Sequence, residues 1–138
     1  MPKKLSPFDA QFITDTFFPQ YKDNPKVINY GQCFQWAYLA YLVFEGVELW
    51  DTHTHAFIKY QGRFYDSETK DGVLNWRQLP QADCRCKYCS NAVKHDECAF
   101  KKEWKHASKN YGIKWIRLRK QVKQILEQKS QANDPRSK

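Results

Sequence analysis

No window of this 138-residue chain approaches the roughly 18 to 20 unbroken apolar residues that a membrane-spanning helix needs. The opening "MPKKLSPFDAQF" has neither the apolar centre nor the small-residue cleavage site of a secretory leader, so no membrane association is expected and the cytoplasm is the expected compartment. Cysteine is nearly missing from the first eighty residues, where Cys33 stands alone, and the total of five is odd. An odd count without a leader argues against a disulfide framework, and for thiols that act as thiols or as metal ligands. Internal repeats are absent. Aliphatic side chains are sparse too, and nine Phe, eight Tyr and five Trp supply much of the burial instead. The length suits one domain with a real core.

The excess of positive charge lies in the C-terminal part. Residues 1 to 98 hold 11 Lys and Arg against 12 Asp and Glu, whereas residues 99 to 129 hold 10 against 2. Such a block is a solvated helix face or an electrostatic footprint for an acidic protein or nucleic acid.

Along the chain, "SPFDAQFITDTFF" opens with Ser6 as an N-cap and Pro7 at the first helical position, then places Phe8, Phe12 and Ile13 at helical spacing before Pro19. "PQYKDNPKVINYG" reads as a loop leading to Cys33. From Cys33 to Phe44 only Gln35 is strongly polar, as in a helix buried on nearly every side, and Glu45-Gly46 suits a left-handed end. "VELWDTH", "THAFIKY" and "RFYDSE" read as strands, with Gln61-Gly62 as a hairpin turn between the last two. The expected class is α+β, a small antiparallel sheet against the buried helix. "TKDGVLNWRQLPQAD" reads as irregular. Beyond the cysteine cluster, two basic helices are separated at Gly112, the second carrying an Ile113, Ile116, Val122, Ile125, Leu126 stripe, before a frayed tail over 130–138.

Cys33 has two readings. Cysteine is among the most buried residue types, and a lone one in an apolar helix is usually inert. A helix N-terminus and a neighbouring imidazole, however, both turn a thiol into a nucleophile. Strand alternation puts His53, His55, Phe57 and Lys59 on one face. With a two-residue turn at Gln61-Gly62, Tyr60 faces Arg63, Phe57 faces Asp66 and His55 faces Glu68. Asp66 is then the diagonal neighbour of His55, about 7 to 8 Å away between backbones, and the expected carboxylate partner ahead of Glu68. His53 competes for the role of His55. Together Cys33, His55 and Asp66 have the makings of a nucleophile, base and orienting acid.

"YGQCFQWA" resembles the nucleophile motif of the transglutaminase-like branch of the papain-like fold, Gly-Gln-Cys-aromatic-x-x-Ala, and "HAFIKYQGRFYDSE" resembles its following segment. The likeness covers about residues 29 to 68. It implies a compact papain-like core over 1–80, with Cys33 as nucleophile, His55 as general base and acid, and Asp66 as orienting residue. The implied reaction is acyl transfer at an amide or thioester carbonyl of a protein or peptide substrate. Three departures stand out. The spacing from Cys33 to His55 is short at 22 residues, Ser67 follows the Asp where Pro is common, and no Trp precedes Cys33 as an oxyanion donor. The Cys33 amide is the first donor expected, with Asn29, Gln32 or Gln20 for the second.

"DCRCKYCSNAVKHDEC" crowds Cys84, Cys86, Cys89, His95 and Cys98 into 15 residues. A Cys-x2-Cys knuckle followed by His-x2-Cys can close a tetrahedral site, so four of the five are expected to bind structural Zn²⁺ in an 81–129 segment of zinc loop and basic helices. In those helices Lys101, Lys102, Lys105, Lys109, Lys114, Arg117, Arg119, Lys120 and Lys123 are interleaved with Trp104, Tyr111 and Trp115. That combination suits an acidic partner surface or a phosphate backbone. A noncatalytic zinc-containing binding module for nucleic acid or an acidic protein is accordingly the alternative to an enzyme.

Overall fold

The structure is a computed structural model, and it describes residues 3–30, 32–52, 55–80, 92–95 and 115–132. Helix α1 runs Ala10–Phe17, later than the Ser-Pro signal indicated, because Asp9 is the cap that works: its carboxylate accepts the Gln11 and Phe12 amides at 3.0 and 3.3 Å. The negative charge also suits the positive end of the helix. Phe8, left outside the helix, meets the rings of Phe44, Tyr60 and Tyr65. The expected loop after Pro19 is largely two 3-10 helices, Pro19–Tyr21 and Pro25–Tyr30.

Helix α2, Cys33–Val43, is the buried helix expected, with only Phe34 and Tyr41 of its residues partly exposed. Its end is not a left-handed cap. Phe44 is extended, and Gly46 takes φ +79° in the turn beyond it. Leu5 forms a parallel bridge to Phe44, its amide donating to the Val43 carbonyl at 2.7 Å.

The sheet is antiparallel, ordered β4-β3-β2-β1-β5, with β1 Glu48–Asp51, β2 Ala56–Tyr60, β3 Arg63–Asp66, β4 Thr69–Val73 and β5 Val93–His95. Strands β4 and β5 correct the sequence reading. "TKDGV" shows no alternation, and β4 exists through its ladder to β3; a Cβ on Gly72 (φ +77°) would lie 2.7 Å from the Tyr65 ring, so this edge is closed only because the residue is glycine. Asn75 then caps a 3-10 turn, Trp76–Gln78.

The two faces of the sheet serve different clusters. Leu49, Ala56 and Ile58, with Tyr60 and Tyr65, join α1 and α2 in the main core, whereas Phe57 and Phe64 on the other face close under Leu79, Trp50 and Trp76. Helix α3, Trp115–Ala132, continues into the expected tail as far as Ala132, and Ile113 of the expected stripe lies outside the described residues. It brings Val122 and Leu126 into the main core, with Leu118 and Ile125 beside them. The chain is thus α+β as expected. The cysteines of the expected zinc loop and the first basic helix lie outside the described residues, and among those described no helix is long and apolar enough to cross a membrane.

Candidate active site

The hairpin turn sets the site. Gln61 and Gly62 both take positive φ, +47° and +81°, the pattern of a two-residue turn whose twist matches its strands. Tyr60 therefore pairs with Arg63 and Ile58 with Tyr65, the register that the sequence implies. Continued by one pair, it sets Asp66 across from Phe57 and diagonal to His55. The structure joins His55 to Asp66 by Nε2 to Oδ2 at 2.9 Å, with both residues 1% exposed. The other oxygen, Oδ1, accepts the Glu68 amide at 3.0 Å, so the carboxylate is held at both ends. Glu68 itself, the second choice of partner, turns instead to Asn29.

An ionised carboxylate only accepts, so the proton in this pair belongs to Nε2, and Nδ1 becomes the ring's basic atom. Nδ1 is buried and has no hydrogen-bond partner among the described residues. Cys33 is the neighbour that remains for it: burial by itself pushes the imidazole down, but Asp66 and then Cys33 more than offset it and hold His55 at about 9. The thiol thus acts on the ring although Nδ1 has no partner at full hydrogen-bond geometry, a looseness common in sites that tighten on substrate.

The route of this contact differs from the simplest sequence picture. Helix α2 packs on the Ala56 and Ile58 face, opposite to Phe57 and Phe64. His55 lies one residue before β2, where its carbonyl accepts the Thr52 amide at 2.9 Å. Cysteine and histidine therefore meet around the end of the sheet rather than across its face. Cys33 is 9% exposed, at the margin of burial among the described residues.

Cys33 is the first residue of α2, and Gln32 before it makes no side-chain capping bond. The start of a helix presents backbone amides that suit negative charge. Of the expected second donors, Gln20 is exposed on its 3-10 turn, and the Asn29 amide donates to Glu68 Oε2 at 3.3 Å. Gln32 is half-buried beside Cys33. His53 lies outside the described residues.

Ser67 was legible only as a departure from the family pattern. Its hydroxyl reaches the Pro25 carbonyl at 2.9 Å and Asn29 Oδ1 at 3.0 Å. Of the zinc candidates only His95 is described, in β5 opposite Leu49; Cys84, Cys86, Cys89 and Cys98 are not. Among the basic residues Arg117, Arg119, Lys120 and Lys123 are exposed on α3, and Lys101, Lys102 and Lys105 lie outside the described residues. No family model, curated protein or solved structure matches the chain.

Proposed function

We propose that the protein is a cysteine-dependent acyl-transfer enzyme acting on amide or thioester carbonyls through Cys33, His55 and Asp66, on a trimmed transglutaminase-like version of the papain-like fold. The observation that carries the reading is a buried imidazole bonded to Asp66 at Nε2, with Nδ1 unbonded and Cys33, the first residue of α2, acting on the same ring. A structural histidine would satisfy both nitrogens. An imidazole held this basic beside a thiol is also the pairing that favours the reactive thiolate, with the thiol's proton on the ring.

The proton of the Cys33 thiol passes to Nδ1, and the sulfur attacks the carbonyl carbon. The oxyanion forms against the Cys33 amide at the start of α2, with Gln32 as the side chain proposed to add a second donor. As the carbonyl re-forms, the bond to the amine or thiol breaks and the leaving group takes the proton from Nδ1. Water or an amine then gives its proton to Nδ1 and attacks the thioester, and the departing sulfur recovers the proton. Asp66 holds the ring and stabilises its charge throughout. The slight exposure of Cys33 favours a carbonyl on a slender, extended chain, as in a peptide or isopeptide.

In the same reading, the cysteine cluster binds structural zinc, and β5 ties its His95 end to the sheet. The exposed basic face of α3 then recruits an acidic target. Mass spectrometry after mixing with p-nitrophenyl acetate tests the chemistry. One acetyl group per chain is expected on Cys33, and none in Cys33→Ala or His55→Ala. Acetylation of Cys33 at the rate of an ordinary thiol, indifferent to His55, would sink the proposal.

A further inference from the structure

Cys33 and the His55–Asp66 pair belong to different elements, and Nδ1 of the ring has no partner at full hydrogen-bond geometry among the described residues. Something must hold the approach to Cys33 at a fixed distance from the turn that carries Asp66. The 3-10 helix Pro25–Tyr30 leads directly towards Cys33, and its Asn29 side chain is buried against the β3–β4 turn. Asp66 pairs with Thr69, so Ser67 and Glu68 are the two residues of that turn. The single Ser67 hydroxyl hydrogen faces two acceptors, the Pro25 carbonyl and Asn29 Oδ1, while Asn29 Nδ2 donates to Glu68 Oε2. The orientation of Asn29 is fixed by chemistry, since a carboxylate needs a donor and a hydroxyl hydrogen an acceptor. Glu68 completes the circuit by donating its backbone amide to Asp66 Oδ1.

Resting on the reading of Cys33, His55 and Asp66 above, we propose that Asn29, Ser67 and Glu68 are positioning residues, a polar strut from the nucleophile's approach segment to the carboxylate-bearing turn that sets the alignment of Cys33 with His55. Proline at position 67 would supply no hydroxyl. The serine therefore replaces stiffness within the turn by a tie across some 40 residues of chain, separations of 42 to Pro25 and 38 to Asn29. None of the three residues touches the reacting atoms.

The test is the pH profile of Cys33 alkylation by iodoacetamide in the intact protein, for wild type, His55→Ala, Ser67→Ala, Ser67→Thr and Glu68→Ala, with folding followed by circular dichroism. Ser67→Ala should slow alkylation at neutral pH by roughly ten- to a hundredfold, the scale on which small misplacements of reacting groups cost rate. It should also move the profile towards that of His55→Ala. Ser67→Thr, which keeps the hydroxyl, should restore both. Glu68 is partly exposed, so Glu68→Ala keeps the question open even if Ser67→Ala does not fold, and it should shift the profile in the same direction. If Ser67→Ala and Glu68→Ala superpose on wild type while His55→Ala does not, the strut is overturned and the catalytic reading stands. If His55→Ala also superposes on wild type, both fall together.

Discussion

At the scale of single residues, His55 is the group whose titration should be felt throughout the molecule. Its value of about 9 against an ordinary 6.5 means that the folded state binds the ring proton more tightly than the unfolded chain. The stabilisation, about 3 kcal/mol from that difference, is fully present below pH 6.5 and is lost as the pH climbs through about 9. Urea midpoints measured from pH 6 to 10 should fall across that window, and in His55→Gln this fall should vanish. The proposed activity should decline with the same upper limb, because above it the Cys33–His55 pair has lost the one proton that it passes to the leaving group. Asp66→Asn removes the leading upward influence, so its limb should move to lower pH. Gln35 calls for the opposite kind of change. It is fully buried in α2, and neither of its amide atoms is paired among the described residues. Replacing it by Met, similar in volume and without the unsatisfied groups, should raise stability by about 1 to 3 kcal/mol in chemical denaturation.

Between residue and molecule, the elements rest on a few local devices. Asp9→Ala should lower stability by about 1 kcal/mol, since the two α1 amides that Asp9 holds lose their acceptor. Gly72→Val should cost more, at least about 2 kcal/mol, because strain at positive φ adds to a collision with the Tyr65 ring. Thermal melts of both variants check the order. The same devices explain what could be read in advance. The buried α2 and the β2–β3 hairpin were plain in the sequence, one from an unbroken apolar run and the other from Gln61-Gly62 between aromatic segments. Asp66 followed from the hairpin by counting. Strand β4 was hidden because "TKDGV" draws its stability from β3 and not from its own pattern. The start of α1 was missed because two caps compete within four residues, and only the folded backbone shows which carboxylate or hydroxyl meets the amides. The Ser67 to Asn29 tie could not be read at all, since it depends on two polar side chains 38 residues apart meeting in the fold.

For the whole molecule, the C-terminal part is no appendage. Helix α3 inserts Val122 and Leu126 into the core shared with α1 and α2, and Gln121 reaches the Thr16 carbonyl of α1 at 3.4 Å. Removing α3 should therefore expose the core, whereas reversing Lys120 and Lys123 to Glu, both exposed, should leave the melting temperature nearly unchanged. The same reversal should weaken binding to an acidic target and flatten its dependence on salt, as read by titration at several ionic strengths. Metal analysis of protein prepared without chelators should find about one Zn²⁺ per chain, removed by Cys86→Ser with Cys89→Ser.

The bridge from Leu5 to Phe44 anchors the start of the chain at the far end of α2. Ten helical steps separate Val43 from Cys33, about 15 Å along the axis. A label or carrier joined ahead of Leu5 would accordingly emerge well away from the thiol. A chain tethered to a surface at that point would keep Cys33 turned away from the support.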